Sequence, residues 1–520
     1  MASPMSLFML QTPYFPLYPF FILVILVILW KKTKARSGSN ESNPILKSPP
    51  GPWKLPVIGN LHQLAAGNPL PHHALRDLAK KHGPIMHLKL GQLEVIVISS
   101  SKAAEEVLKT HELTFSQRPR VLAVEVMSFA QSSIVFAPYG DYWREMRKIC
   151  VLNLFNAKRV QCFRSIREEE VSNLIESISA SSMGLTPTIN LSATISSLTN
   201  VIVSRAALGG KCRNAKEFTS LLEKATQLAA GFDIPDLFPS LRFLGYITGT
   251  IPSMKKMRNK LGTILESIIN EHKESKKNEK SEEDFVDVLL KLQESKEVVL
   301  TTNQIKDVIM DIFSAGSETT ATAIEWAMSE LMRNPRVMNK AQAELRKTKL
   351  EEAADVQNLD YLKAVVKETL RLHPPAPLLP RESRERCKIS GYELPEKAKV
   401  IINEWAIGRD PESWVDAESF KPERFLHGSE SDLDFKGFDF EFIPFGAGRR
   451  ICPGISFGVP IIELALSKLL YHFDWELGNE TKPEELDMSE TFGVSCRRKH
   501  DLYVIATPHR SFPCTESSMM

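Results

Sequence analysis

Helical periodicity dominates the central part of the chain, from Ser101 to His373. Strand-like alternation is confined to short stretches. The run "GPIMHLKLGQLEVIVISS" alternates like a hairpin, and "KVIINEWAI" is typical of another short strand. The pattern therefore predicts a mainly α protein, with small β-sheets at the periphery of a large helical core.

The longest apolar run lies at the N-terminus. The stretch "PYFPLYPFFILVILVILW" ends at Trp30, and the basic cluster "KKTKAR" follows at once. Counted back to Leu7, about 24 residues carry no charge, enough to cross a hydrocarbon core about 30 Å thick. A cleaved signal peptide is the alternative, but the basic cluster follows the apolar run, and no small-residue cleavage site comes after it. Residues 1–30 are therefore predicted to be a membrane anchor whose basic flank stays in the cytosol.

A linker and a stiff turn follow the anchor over residues 31–53. The first part is rich in serine and asparagine, and "PPGPW" cannot be helical. This turn is either a rigid hinge after the anchor or an ordinary proline-rich linker. The remaining chain, residues 54–513, is predicted to be one large domain.

Composition excludes several classes of protein. The chain has 520 residues, 43% of them hydrophobic, and a formal net charge of +2, which gives no case for nucleic-acid binding. The seven cysteines are scattered and odd in number, with no CxxC pair. A disulfide framework is therefore not expected, and a reducing compartment fits better.

A very long helix is predicted between a Thr cap at 301 and Pro335. The segment "AGSETT" lies in its middle, where Gly316 weakens a helix by about 1 kcal/mol relative to alanine. Neighbouring hydroxyls can bond backbone carbonyls and open the helix locally. One interpretation is a kinked core helix with a buried capping threonine. The other is a groove for a small ligand, with Thr319 and Glu318 as a proton path.

Two further helical segments carry paired polar residues. Glu368 and Arg371 are three residues apart in "DYLKAVVKETLRLHPP", so they share one helix face. Trp143 and Arg147 are four residues apart in "YWREMRK". Alone, the Glu368–Arg371 pair is a weak signal, since most such pairs lie on a solvated surface, and the Trp143–Arg147 pair is weak as well.

Cys452 stands alone in "PFGAGRRICPGISFG". Structural zinc needs about four nitrogen or sulfur ligands, and iron–sulfur clusters need several clustered cysteines. Neither set lies nearby in the sequence. A single cysteinate suffices for a metal that another scaffold already holds, such as haem iron in its porphyrin.

The surroundings of Cys452 suit that use. Residues from Ile455 onward are predicted to be helical, and a helix N-terminus favours a thiolate. Glycines before and after the cysteine allow the backbone to approach a flat ring, and Arg450 offers a cation for a propionate. The alternative is a buried, inert cysteine in a glycine-rich turn.

The motifs together resemble those of the cytochrome P450 family. Phe445, Gly448, Arg450, Cys452 and Gly454 match the haem signature FxxGxRxCxG of that family. "AGSETT", "KETLR", "FKPERF", "WREMR" and "PPGPW" resemble its other motifs, in the same order and at similar spacing. "HALRDLAKKHGPIMHLKLG" and "PYGDYWREMRKICVL" are most similar to plant microsomal members that oxidise terpenoids and some indole alkaloids.

The resemblance implies a cytochrome P450 fold with one N-terminal transmembrane helix, and a haem b cofactor. It implies that Cys452 is the axial thiolate and that Thr319 and Glu318 deliver protons. The remaining implied roles are a bracing triad of Glu368, Arg371 and Arg424, and a haem-binding set of Trp143, Arg147, Arg381, Arg450, Phe445, Gly448 and Gly454.

Four segments correspond to the variable pocket walls of the family. They are residues 118–139, 310–315, 375–380 and 492–496. Their apolar members suit a hydrophobic substrate: Phe313, Ala315, Ala376, Leu378, Leu379 and Val494. The segment "HPPAPLLPRES" is about one residue shorter than the family pattern and "RKTKLEEAADVQNLDY" is abbreviated, which affects the placement of Arg381.

The implied activity is a haem-thiolate monooxygenase that hydroxylates or epoxidises a hydrophobic plant metabolite, a sesqui- or diterpenoid by preference. Alternatives are oxidation of an indole alkaloid, a haem-thiolate isomerase, and a catalytically silent haem-binding membrane protein. No strand–GxGxxG–helix context for a flavin or nicotinamide is present. Electrons are therefore expected from NADPH–cytochrome P450 reductase, with cytochrome b5 as an optional second donor.

The implied location is the endoplasmic reticulum membrane, crossed once, with the catalytic domain facing the cytosol. The lysines Lys421 and Lys436, together with Arg449, lie near the cysteine segment in sequence. Exposed cations there would attract an acidic flavoprotein.

Overall fold

The computed structural model describes the chain from residue 48 to 509, with short gaps. The described ranges are 48–66, 70–182, 188–210, 215–229, 231–275, 283–295, 299–348, 358–427, 430–478 and 481–509. The predicted anchor, residues 1–30, and most of the linker therefore lie outside the described residues, as does most of the abbreviated segment near residue 350.

Helices make up most of the described chain, as the periodicity predicts. The α-helices are Leu61–Ala66, Pro71–His82, Ser101–Glu105, Leu122–Met127, Asp141–Ile149, Ala157–Cys162, Arg164–Ser182, Leu191–Leu208, Ala215–Leu228, Ile234–Leu237, Leu244–Ile247, Thr250–Ser275, Phe285–Ser295, Thr302–Arg333, Pro335–Thr348, Asp360–Leu372, Glu404–Ile407 and Ile455–His472. Two π-helical turns, Glu106–Thr110 and Cys150–Leu154, extend two of them.

The strands of the described ranges form three small sheets. They are β1 (Ile85–Leu90), β2 (Leu93–Ile98), β3 (Thr188–Asn190), β4 (Leu378–Glu382), β5 (Cys387–Ile389), β6 (Tyr392–Leu394), β7 (Lys399–Asn403), β8 (Phe473–Leu477) and β9 (Tyr503–Pro508). The largest sheet has the order β1-β2-β7-β4, and the others are β3-β9-β8 and β5-β6. The β1–β2 hairpin and the β7 strand are confirmed.

One strand in the largest sheet differs from the expectation. The segment "PAPLLP" is predicted to be a pocket wall, but its second half forms β4, which pairs antiparallel with β7. Successive side chains of a strand point to opposite faces. Leu378 and Leu379 therefore cannot both line one pocket.

The long helix Thr302–Arg333 runs through the core. A capping box starts it: the Thr301 hydroxyl accepts from Gln304 N, and the Gln304 side chain accepts from Thr301 N. The expected local opening at "AGSETT" is absent from this helix, which stays α-helical throughout. Thr319 and Thr322 bond the carbonyls of Ala315 and Glu318, four residues back, at 2.5 and 2.8 Å. These hydroxyls use carbonyls that already belong to the helix, so it stays intact.

The main hydrophobic core surrounds the long helix, the helix Leu191–Leu208 and the C-terminal helix Ile455–His472. The last two are long and apolar enough to cross a membrane, but at least half of each is buried inside the fold. Buried apolar helices of this kind serve as core elements.

The proline-rich turn before the body is attached to it at its C-terminal end. His87 N, on β1, donates to Pro50 O at 2.8 Å, and Asn60 Nδ2 donates to Trp53 O at 3.0 Å. A Cβ on Gly51 would lie 2.1 Å from His87 O, so only glycine allows this approach. The division of the chain at residues 30 and 53 stays a prediction.

Candidate functional site

Cys452 lies between the 3-10 turn Gly448–Arg450 and the C-terminal helix, as the sequence predicts. Its N–H donates to Phe445 O at 2.9 Å, which closes the loop. The side chain is accessible, yet protein surrounds it, so it borders an internal cavity. Burial raises the pKa of the Cys452 thiol, while the Gly454 N–H and Arg147 act in the opposite direction. Burial therefore outweighs the effect of the Gly454 N–H at the start of the helix on the pKa of this thiol.

Gly448 is required by the shape of the cysteine loop. Its φ is +67°, in the left-handed region, and a Cβ there would lie 2.4 Å from Leu108 O. The close approach presses the loop against the π-helical turn Glu106–Thr110. Phe445 packs on the other side of the loop against Phe435, with ring centroids 5.3 Å apart.

The long helix passes directly beside this loop. A Cβ on Gly458, in the first turn of the C-terminal helix, would lie 3.5 Å from Thr320 Oγ1. Near this contact, Ala315 is exposed and Thr319 half-buried, although the helix belongs to the core. Ala315, Thr319 and Cys452 are thus accessible groups deep inside the fold, on adjoining elements.

Four arginines gather near Cys452: Arg118, Arg147, Arg381 and Arg450. The Arg381 guanidinium would lie 3.9 Å from a Cβ on Gly446, within the cysteine loop. Burial lowers the pKa of all four, and mutual repulsion adds to the shift at Arg381 and Arg450. For Arg118 the pKa falls to about 10, and for Arg450 to about 9.

No carboxylate of the described ranges forms an ion pair with any of these four arginines. Buried cations without an anion are costly, so the cluster requires an anionic ligand. A haem carries two propionates and takes one thiolate on its iron. The arginine cluster and the accessible Cys452 side chain together fit that group.

Two members of the predicted haem-binding set bond mainly to protein. Arg450 donates to the carbonyls of Ser116 and Ala137 at 2.9 and 2.7 Å, and its guanidinium lies 4.1 Å from the centre of the Trp143 ring. The Trp143 N–H donates to Ile134 O at 2.9 Å. Its indole nitrogen is therefore already used, and Trp143 supports Arg450 through its ring face.

Arg118 is the member of the cluster that sequence reasoning missed. It lies in a non-helical segment, "FSQRPR", without any periodic signal. Its side chain donates to Val135 O at 3.1 Å and to Pro380 O at 2.6 Å. It thereby joins two of the predicted pocket walls next to Arg381.

The three residues of the predicted triad lie in direct contact. Glu368 accepts two bonds from Arg371, at 2.7 and 2.8 Å, and one from Arg424 Nε at 3.1 Å. The Glu368 and Arg371 side chains are wholly buried. Arg371 also donates to the carbonyls of Gly408 and Ala417, which ties the segment before the cysteine loop to the core.

Glu318 lies on a different face of the long helix from Thr319. It lines a small recess with Ser317, Glu223 and Arg497, and Arg497 Nη1 lies 4.0 Å from Glu318 Oε1. Burial raises the pKa of Glu318, and Arg497 opposes that shift. The volume of about 20 Å³ is enough for about one water molecule. Thr319 and Ala315 do not line this recess.

The predicted pocket residues divide into two groups. Ala315 is exposed, and Ala376, Leu379 and Val494 are half-buried. Phe313 is instead buried against Phe218, with ring centroids 4.9 Å apart. Leu378 is also half-buried and packs into the cluster beneath the β1–β2 hairpin, while Leu379 packs against the neighbouring core cluster. Leu379 and Arg381 lie on the β4 face near Gly446.

Two carboxylates of the long helix hold the predicted wall segment 118–139. Asp307 accepts bonds from Phe129 N, Ser132 N and neighbouring donors, and Asp311 accepts from Ser133 Oγ at 2.9 Å and Ile134 N at 2.6 Å. Burial raises the pKa of Asp311 to about 7, and Asp307 adds to this shift. Sequence periodicity places both acids on the helix but gives no sign of this loop contact.

The cations expected to attract a redox partner all have carboxylate neighbours. Lys421 pairs with Asp416, Lys436 with Asp434 at 2.7 Å, and Arg449 with Glu112 at 3.0 Å. Their charges are partly neutralised, so steering by these residues is weaker than the sequence suggests.

A cytochrome P450 family model matches residues 49–504. The chain belongs to the cytochrome P450 family. As a member of this haem-thiolate monooxygenase family, it uses haem iron held by a cysteinate, and such P450 enzymes generally take electrons from a reductase and act on hydrophobic substrates.

Curated P450 relatives are similar over almost the whole chain. A melianol synthase from Ailanthus altissima is 54% identical over 98% of this chain and 99% of its own length. A desmethyl-deoxy-podophyllotoxin synthase from Sinopodophyllum hexandrum is 56% identical over 89% of this chain and 92% of its own length.

The fold agrees with that of a solved P450. A zebra fish cytochrome P450, determined with abiraterone, matches with a TM-score of 0.70 and 24% identity, over 85% of this chain and 100% of the other. At this level of identity the similarity shows the fold alone.

Proposed function

We propose that this P450 inserts one oxygen atom from O2 into a hydrophobic plant specialised metabolite, by hydroxylation or epoxidation. A terpenoid is the preferred substrate class. The observation that carries the proposal is the combination of an accessible Cys452, deep inside the fold, with four arginines, two buried and two half-buried, that no carboxylate of the described chain neutralises.

The residues of the site have separate proposed roles in haem binding and proton supply. Cys452 is the proposed iron ligand, and Arg118, Arg147 and Arg381 are the proposed propionate partners, with Arg450 braced behind them. Bound haem supplies the activation of O2. Thr319 holds a hydroxyl proton at the accessible turn of the long helix, and Glu318 occupies the neighbouring recess, which supports separate parts for them in proton supply.

The substrate class follows from the walls and the relatives. Ala315, Ala376, Leu379 and Val494 carry no polar side-chain atoms, which suits a poorly soluble molecule. The melianol synthase relative acts on a terpenoid. The podophyllotoxin-type relative, with similar identity, makes a lignan-type product the second candidate.

The proposed setting is the endoplasmic reticulum membrane, with residues 1–30 as a single anchor and the catalytic domain in the cytosol. NADPH–cytochrome P450 reductase is the proposed electron donor, and cytochrome b5 is an optional second one. Confinement of both proteins to one membrane raises their effective concentration.

Product analysis tests the function. Microsomes containing the full chain and a reductase are given NADPH, isotopically labelled O2 and a panel of sesqui-, di- and triterpenes, lignans and indole alkaloids. We expect NADPH-dependent formation of a terpenoid product that carries one labelled oxygen. A product without the label would favour the isomerase alternative, and a labelled lignan or alkaloid would replace the substrate class.

Thr319→Ala is expected to bind haem and substrate normally but to divert electrons to hydrogen peroxide. The hydroxyl donates only to the Ala315 carbonyl, which keeps its own helix bond, so the fold does not need it. Positioned acid–base groups contribute about 10²–10⁴-fold, so product formed per NADPH should fall about tenfold or more. The measurement is product and peroxide per NADPH consumed.

Thr322→Ala is the matched control for that variant. Thr322 makes the same bond to the carbonyl four residues back, but it is buried in the core. Its product yield per NADPH should stay at the wild-type value, and Thr319→Ser should restore most of the loss. An unchanged yield in Thr319→Ala would remove this hydroxyl from proton delivery.

A further inference from the structure

A buried carboxylate, Glu490, accepts hydrogen bonds from two separate parts of the fold and lies close to a third. Its Oε2 accepts from His72 Nε2 at 2.7 Å and from His73 Nε2 at 2.9 Å. Its Oε1 accepts from Trp405 Nε1 at 3.3 Å and lies 3.8 Å from His373 Nδ1. We call these five residues the Glu490 cluster.

The cluster fixes both ends of the segment 491–496, which contains the predicted pocket wall 492–496. Glu490 precedes the segment, and Thr491 N donates to Arg497 O at 2.8 Å, which closes the loop. At the other end, Cys496 Sγ lies 3.8 Å from His72 Nε2. Val494 stands between these anchors, half-buried.

The same loop is joined to two further walls of the site. Cys496 N donates to Pro375 O at 2.8 Å, at the start of the segment 375–380. Cys496 O accepts from Trp326 Nε1 at 2.9 Å, on the long helix. The position of the loop is therefore transmitted to "PAPLLP" and to the helix that carries Thr319.

His373 links the cluster to the long helix by a second route. Its ring stacks on Trp326, with centroids 4.1 Å apart and an interplanar angle of 7°. Its Nε2 bonds to Glu330 at 2.7 Å. Burial raises the pKa of Glu490, but His373, His72 and His73 outweigh burial and hold it far below its usual range.

A metal ion is not the best interpretation of His72, Glu490 and Cys496. The separation of 2.7 Å between His72 Nε2 and Glu490 Oε2 is a hydrogen-bond length. Two ligands on one tetrahedral zinc ion, each about 2.0–2.1 Å from it, lie roughly 3.3 Å apart. Burial and Glu490 also raise the pKa of the Cys496 thiol well above its ordinary value, which disfavours a thiolate ligand.

We propose that Glu490 is a positioning residue for substrate selectivity, which places the loop 491–496 by binding His72, His73 and Trp405. The inference rests on the proposed function, since it takes this loop as a wall of the substrate pocket. In Glu490→Gln, the new amide would keep one acceptor oxygen, but its NH2 group would face the N–H donors of His72, His73 or Trp405. The loop would therefore shift without any change at Cys452.

The binding of azoles to the haem-loaded full chain reports the position of the loop 491–496 in the pocket, without any catalytic turnover. Imidazole is small and reports access to the iron, whereas clotrimazole is bulky and also contacts the pocket walls. In Glu490→Gln we expect the Kd of clotrimazole to change about tenfold or more, because a buried polar group loses its partner. The Kd of imidazole should stay within about twofold of wild type.

Asp284→Asn is the matched control. Asp284 Oδ2 bonds to His272 Nε2 at 2.8 Å, and this pair is as buried as Glu490 and His72 but joins the helix Thr250–Ser275 to the segment before Phe285–Ser295. Both azoles should bind this variant as they bind wild type. An equal change for both azoles in Glu490→Gln, or no change for either, would overturn the proposal.

His73→Ala keeps the test decisive if Glu490→Gln does not take up haem. The His73 side chain is 20% exposed, so its removal disturbs the core less. We expect a selective change for clotrimazole of about threefold or more, and an unchanged Kd would overturn the proposal. A wild type that binds azoles but oxygenates no terpenoid would refute the proposed function and leave this inference standing.

Discussion

Cys452→Ser is expected to lose the red-shifted absorption band that the reduced protein shows with carbon monoxide. Its monooxygenase activity should fall by more than about 100-fold. A neutral hydroxyl does not supply the charge of a thiolate, and of Cys452 and Cys496, Cys452 is the accessible cysteine. Carbon monoxide difference spectra of the reduced microsomes measure the effect, alongside total haem content.

Cys496→Ser is the control that separates the two cysteines of the site region. Cys496 is buried against His72 and points into the Glu490 cluster, so its replacement should keep the red-shifted band. If Cys496→Ser loses the band while Cys452→Ser keeps it, the assignment of the iron ligand is wrong.

Glu368→Gln is expected to lower the free energy of unfolding by about 3–5 kcal/mol, because it leaves the buried Arg371 guanidinium without a counter-charge and leaves Arg424 with Glu430 alone. Arg371 and Arg424 both bond Glu368, and Arg371 also holds the carbonyls of Gly408 and Ala417. The variant should therefore lose haem at a lower denaturant concentration than the wild type. Tryptophan fluorescence and haem absorbance, followed together against denaturant, give the measurement.

Glu423→Gln provides the comparison within the same segment. Glu423 pairs with Arg336 and Lys340, whose side chains are 57% and 50% exposed. Exposed pairs of this kind are worth up to about 1 kcal/mol. Equal losses in Glu368→Gln and Glu423→Gln would show that the buried triad has no special part in holding the haem region.

Features that depend on local patterns could be predicted from the sequence. The β1–β2 hairpin, the capped start of the long helix at Thr301 and the helix after Cys452 all follow from periodicity and capping within a few residues. The ExxR pair is a weak signal alone, and its role depends on the resemblance to a family. Its contacts with Arg424 agree with that role.

Features that depend on distant contacts could not be predicted from the sequence. Glu490 and His72 bond across 418 residues of sequence, and no pattern near either residue indicates the other. Arg118 joins the arginines only because its loop folds back to Pro380. Glu318 and Thr319 are adjacent, and the direction of each side chain depends on which helix face meets the cavity.

The backbone of Ile134 connects the predicted wall 118–139 with Trp143 and Arg450 of the proposed haem-binding set. Its N–H donates to Asp311, while its carbonyl accepts from Trp143 and lies 3.4 Å from Arg450 Nη1. During divergence towards new substrates, a change in this stretch would disturb the cofactor as well as the pocket. The segment 375–380 is likewise bonded to Arg118 through Pro380 O. The segment 491–496 has no such direct bond to the four arginines within the described chain, so the freer evolutionary variation, and the safer target for engineering, lies there.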